Sequence, residues 1–163
     1  MLGNKLINMK KKILVDIDVV AVSEHYVNDN DHKIAAPIMK RIKSGEFEVY
    51  TTHALLDLIR AWSSGPIKKK ILSFYDAYSY SIPAIEIETK CSEKNIKFEH
   101  IVSKLSKKGI KEEDASIAVI TSLFSLILVT LNRKHLRNKR DDINKILKEH
   151  GLNEIKILLP SEI

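Results

Sequence analysis

Apolar positions along this chain follow two alternating rhythms. KILVDID (12–18) is a short apolar run ending in acids, the pattern of a strand buried on both faces. VVAVSEHY (19–26) then favours a short helix. HKIAAPIMKRIK (32–43) has apolar residues at helical spacing, with Pro37 near its first turns and Ser44-Gly45 ending it. FEVYTT (47–52) reads as a strand from its β-branched and aromatic content. HALLDLIRAW (53–62) follows as an amphipathic helix with Thr51 or Thr52 available as its N-cap, and Ser63-Ser64-Gly65-Pro66 breaks it.

The same rhythm continues to the end. Ile67–Tyr80 reads as a helix with Ile71, Leu72, Phe74 and Tyr75 on one side, and Pro83 opens a further helical segment through IEIETKCSEKN (85–95). FEHIVSKLSKKG (98–109) is a helix closed by Gly109, a residue type common just past helix ends. KEEDASIAVITSLFS (111–125) is a helix with acids in its first turn, where they suit the helix dipole. LILVT (126–130) is a buried strand, LNRKHLRNKRDDINKILKEHG (131–151) a turn and a helix, and IKILLP (155–160) a last strand. Strands alternating with helices argue for a parallel sheet covered on both faces. No internal repeat or low-complexity linker interrupts it.

Composition narrows the picture. A chain of 163 residues suits one domain, and a hydrophobic share of 44% supports a real core. The single cysteine, Cys91, excludes an internal disulfide and a cysteine-built zinc site. The longest apolar stretch, Ile117–Leu131, would span only about 22 Å as a helix, short of the ~30 Å hydrocarbon layer. It reads as a buried helix running into a buried strand, with no membrane role. Residues 1–12 have a basic patch but no long apolar run, so a cytoplasmic location is expected. The MKKK at Met9 matches an ordinary start, and residues 1–10 are expected to form a disordered extension to a single domain at 11–163. The net charge of +6 and pI of about 9.3 suit encounter with polyanions, and suit a generic solvated surface equally.

In open parallel sheets the active crevice lies at the carboxyl ends of the strands. Asp16 closes the first strand, Asp57 lies one turn into the helix after the second, and Asp114 opens the helix that feeds the penultimate strand, which ends at Thr130 and is followed by Asn132. Converging carboxylates repel unless cations lie between them, and hard divalent ions such as Mg²⁺ or Mn²⁺ take such oxygen ligands. That chemistry cuts phosphodiesters. Each acid also has a structural reading: Asp57 as a solvated helix acid, Asp114 as a dipole-compensating acid beside Glu112 and Glu113, Asp18 as a turn residue.

Laid out this way, the chain resembles the PIN domain family, including the VapC-like toxins. ILVDIDVV (13–20) looks like the family's first motif, with its acid at Asp16. VYTTHALLDLI (49–59) looks like the second, with Asp57 where Glu is usual. EEDASIAVIT (112–121) looks like the third, with Asp114, and LILVTLNRKHL (126–136) like the fourth, with Thr130 and Asn132. The resemblance covers Ile13 to about Leu159. It implies an α/β fold, a three-layer α/β/α sandwich around a central, mainly parallel sheet, with bound Mg²⁺ or Mn²⁺ and hydrolysis of RNA. It also implies frequent homodimers and, for toxin members, an antitoxin partner. On this reading Asp16, Asp57 and Asp114 bind the ion and activate water. Asn132 is a weak ligand, Asp18 a further candidate ligand, and Thr130 orients water or phosphate. Arg133, Lys134, His135 and Arg137, with Lys139 and Arg140, offer an RNA path. Trp62 and the tyrosines at 75, 78 and 80 suit either base stacking or packing.

Three departures stand out. Asp57 is a methylene shorter than Glu, Asn132 carries no charge, and His135 stands where some members have a further acid. The short Asp57 and the uncharged Asn132 support a rival reading, a catalytically weak PIN-fold module that binds RNA or protein. A second rival is a haloacid-dehalogenase-type phosphatase, for which DIDVV (16–20) fits the nucleophile pattern and Asp141-Asp142 a later acidic pair, although the usual glycine after the second Asp is missing. A nucleotide-binding module has no support, since the chain has five glycines and no glycine-rich phosphate loop.

Overall fold

A computed structural model describes residues 9–25 and 30–163, with the side chain of His25 excepted. The expected N-terminal extension falls largely on residues 1–8, outside the described ones. Five strands form one sheet in the order β3-β2-β1-β4-β5: β1 (Lys11–Val15), β2 (Phe47–Thr52), β3 (Ser79–Ile82), β4 (Ile127–Val129) and β5 (Ile157–Leu158). Every pairing is parallel, with Ile13 opposite Val49 on one side and Ile127 on the other.

Parallel strands need helical crossovers, and those helices cover both faces. β1 shows why the layers form. Its side chains alternate, so Ile13 and Val15 enter one core and Leu14 the other. The first core takes α1 (Ile17–His25), α2 (His32–Lys43) and α4 (Pro66–Tyr78), through Val19, Ile38, Met39, Ile71 and Phe74. The second takes α5 (Ala84–Lys94), α6 (Phe98–Ser106), α7 (Glu112–Leu123) and α8 (Arg140–Glu149), through Cys91, Ile101, Leu105, Ile143 and Leu147. The short α3 (His53–Arg60) sends Leu55 into one and Ile59 into the other. Among the described residues no helix is long and apolar enough to cross a membrane.

The expected elements are present with one strand added. The helix read over Ile67–Tyr80 ends at Tyr78, and Ser79–Ile82 is an edge strand. Ser79 takes extended angles (φ −128°, ψ 153°), and the residue before Pro83 is itself driven out of the helical region. The last strand is only Ile157–Leu158, because Pro160 starts a 3₁₀ turn. α7 is the buried helix expected: residues 117–123 are all buried. It ends at Leu123; Ser125 then turns left-handed at φ +53°, and Leu126 N–H returns to the Thr121 carbonyl at 2.9 Å.

The strand order places the site. The chain steps outward from β1 to β2 and β3, then crosses back to lay β4 on the other side of β1. Crossovers leaving β1 and β4 in opposite senses open a crevice between their carboxyl ends. Asp16 follows β1 directly, and Thr130 follows β4.

Candidate active site

At that crevice the two strand ends are tied together. Asp16 N–H donates to the Val129 carbonyl at 2.9 Å, the last rung between β1 and β4. Above it, the Thr130 hydroxyl donates to Asp16 Oδ2 at 2.8 Å, and Ile17 N–H meets Asp16 Oδ1 at 2.9 Å. Thr130 is fully buried and Asp16 only 7% exposed. Thr130 therefore holds Asp16 in place. Its oxygen also accepts the Asn132 N–H at 2.9 Å.

Asp18, in the first turn of α1, joins this group. Its Oδ2 lies 3.5 Å from the Thr130 hydroxyl and its Oδ1 accepts the Leu131 N–H at 3.3 Å. Asp114 enters from the first turn of α7, where its Oδ2 accepts the Asn132 side-chain N–H at 3.0 Å. The Asn132 oxygen accepts the His135 N–H at 3.0 Å, and His135 Nδ1 donates to the Gly109 carbonyl at 3.1 Å. Asn132 thus braces Asp114 and the turn after β4.

Electrostatics show how crowded these acids are. Burial, with the Asp114 charge adding to it, pushes the Asp16 carboxyl up to about 6 against the pull of the Thr130 hydrogen bond. Asp18 is pushed up to about 8, first by burial and then by the Asp16 charge. Asp114 is raised by burial, with the Asn132 hydrogen bond and the nearby His135 and Lys111 opposing the shift. A cation between Asp16 and Asp18 would relieve this repulsion, and their oxygens suit a hard divalent ion.

Asp57 is not part of the cluster. With Leu55 and Ile59 packed inward, it lies on the outer side of α3, its side chain 72% exposed and paired with Arg60 at 3.0 Å. The expected trio of Asp16, Asp57 and Asp114 is not assembled, and no other group of three or more His, Cys, Asp or Glu among the described residues is placed to hold a metal ion. The Thr52 hydroxyl does cap α3 as expected, accepting the Leu55 N–H at 3.0 Å.

The basic residues after β4 are largely committed. Arg133 grips Asp31 at 3.0 Å at the rim of the site, close enough to Asp18 to feel its charge. Arg137 pairs with Glu162, and Arg140 donates to the Arg137 carbonyl at 2.9 Å. Lys134 and Lys139 are exposed or half-buried without an ion pair among the described residues. Asp141 and Asp142 are exposed in the first turn of α8, with no bond to Asp16.

Tyr75 is a site residue that the sequence presented only as a core or stacking aromatic. It is buried, its hydroxyl donates to the Val15 carbonyl at 2.8 Å, and the charges of Asp16 and Asp18 act on it. It anchors the backbone immediately before Asp16. Only its place in an apolar helical stripe marks it in the sequence, and that pattern does not show where the hydroxyl reaches.

No protein-family model matches the chain, and no curated protein matches it in sequence. Among solved structures it is similar to a chain of VapBC2 from Rickettsia felis, crystallised bound to a DNA fragment from their promoter. The likeness covers 91% of this chain and 98% of that one, at a TM-score of 0.52 and 12% identity. The five-stranded parallel sheet flanked by helices matches a PIN-like fold.

Proposed function

We propose that the chain is a metal-dependent ribonuclease of the PIN type. The observation that carries this reading is the meeting of Asp16 and Asp18 at the Thr130 hydroxyl of the topological switch point, with the Asp114 charge acting on both. Mg²⁺ often sits on one or two carboxylates and completes its shell with waters and substrate phosphate oxygens. Asp16 and Asp18 are the residues that would hold it, with Asp114 beside them. A bound Mg²⁺ or Mn²⁺ would supply charge neutralisation at a phosphodiester and a water of lowered pKa. The chain's own contribution is orientation: Thr130 and Ile17 N–H fix both oxygens of Asp16, Leu131 N–H steadies Asp18, and Asn132 steadies Asp114. On the strength of the fold likeness, the reading extends to an antitoxin-type protein partner; the homodimer is carried over from the family resemblance alone.

A second reading, an RNA- or protein-binding module of the same fold, is favoured by the outward position of Asp57. Cleavage of a labelled single-stranded RNA in Mn²⁺ or Mg²⁺ separates the two. Activity abolished by EDTA and by Asp16→Asn supports the ribonuclease. A folded, metal-saturated protein that leaves the RNA intact supports the binding module.

A further inference from the structure

We infer that a lysine-lined groove between α1, α2 and α4 is the track for the backbone of single-stranded RNA approaching the acids. The groove has a volume of about 400 Å³ and is lined by Glu24, Lys43, Lys69, Lys70, Phe74 and Tyr78. The inference rests on the ribonuclease reading for the identity of the strand, and on the groove's own chemistry for everything else.

The charge balance favours a polyanion. Lys43 is paired with Glu24 at 3.3 Å, whereas Lys69 and Lys70 are exposed and, among the described residues, enter no ion pair. By contrast, Arg133 and Arg137, the arginines expected to carry RNA, are held by Asp31 and Glu162. Free ammonium groups are the ones that exchange counterions for phosphates.

The groove also holds an aromatic ring in place. Tyr78 is 39% exposed, and its ring packs on buried Phe74 at 5.6 Å between centroids. A ring supported on one side and open on the other is a stacking platform for a base.

Position links the groove to the acids. α1 begins one residue after Asp16, carries Asp18 in its first turn, and reaches the groove at Glu24, about 9 Å further along its axis at 1.5 Å per residue. α4 supplies the other wall, and its Tyr75 hydroxyl bonds the Val15 carbonyl beside Asp16. A strand lying on Lys69, Lys70 and Tyr78 thus runs beside α1, which begins at the carboxylates, and beside α4, which Tyr75 bonds to the backbone next to Asp16.

The test is binding of a fluorescein-labelled oligouridylate, followed by anisotropy across a salt series, in EDTA and in an Asp16→Asn background so that cleavage plays no part. Lys69→Ala/Lys70→Ala is compared with Lys10→Ala/Lys11→Ala, which removes equal charge from the opposite end of β1. Melting curves check that both variants fold. Single strands lose about 0.7 of salt slope per phosphate contact, so the groove variant should lose about 1.4, or about 25-fold in affinity at 0.1 M salt if binding is equal at 1 M. The control pair should lose far less, and Tyr78→Ala should weaken binding without changing the slope. Equal losses in both lysine pairs, no loss in the groove pair, or a wild-type chain that binds no oligonucleotide would each overturn the proposal. A matching deoxyoligonucleotide that binds better than the RNA would overturn the choice of strand. A chain that binds through the groove but cleaves nothing leaves this inference standing and removes the ribonuclease reading.

Discussion

The Thr130 hydroxyl donates to Asp16 Oδ2 at 2.8 Å, joining residues 114 positions apart in the chain. It is a buried bond to a carboxylate, so its loss leaves an acceptor in a place water does not reach. Thr130→Val keeps the shape and removes the donor. At pH 8 it should cost about 1–3 kcal/mol in urea denaturation. Unchanged stability would show that the bond contributes nothing in solution.

The acid pair makes a pH prediction with a definite sign. Burial and neighbouring carboxylate charge push Asp16 up to about 6 and Asp18 up to about 8 in the folded chain, against about 3.9 for an unfolded aspartate. Between those values the folded chain binds more protons than the unfolded one, so stability falls as pH rises. The metal-free protein should therefore have its full share of stability from this pair below about pH 4 and lose it through about 6 and about 8. Mg²⁺ or Mn²⁺ should raise the melting temperature most at the alkaline end, where both groups are ionised. A melting temperature indifferent to both pH and divalent ion would refute the crowding.

Asp57 and Asp16 should behave differently. Asp57→Ala removes an exposed carboxylate paired only with Arg60, and cleavage should fall by no more than about threefold, a surface-pair effect. Asp16→Asn should lower cleavage by more than about a hundredfold, the scale of losing a preorganised electrostatic group. Equal losses would mean that Asp57 swings inward when substrate and ion bind.

Ser125 gives a test of the fold that is independent of function. It is exposed and sits at φ +53°, where a β-carbon costs about 1 kcal/mol and glycine does not pay it. Ser125→Gly should stabilise the chain by about 1 kcal/mol and raise its melting temperature by about 2–4 °C. A lower melting temperature would contradict the left-handed geometry.

Much of the architecture was legible in the sequence because it depends on local periodicity. The apolar run before Asp16, the β-branched FEVYTT segment and the helical stripe at 32–43 all took their expected forms. β3 was hidden because SYSI is only four residues long and continues the apolar stripe of α4 without a break; its strand angles depend on pairing with β2.

The acids divide along the same line. Sequence alone determined that Asp16 ends a buried strand and that Asp114 opens a buried helix, since both follow from apolar runs around them. Only the tertiary structure decided which acids meet. The β4 crossover brings Thr130 and Asn132 to Asp16 and Asp114, the start of α1 turns Asp18 toward the same hydroxyl, and the packing of Leu55 and Ile59 turns Asp57 away. Periodicity records which side of an element is apolar, whereas convergence depends on strand order and helix rotation, which are settled by long-range packing.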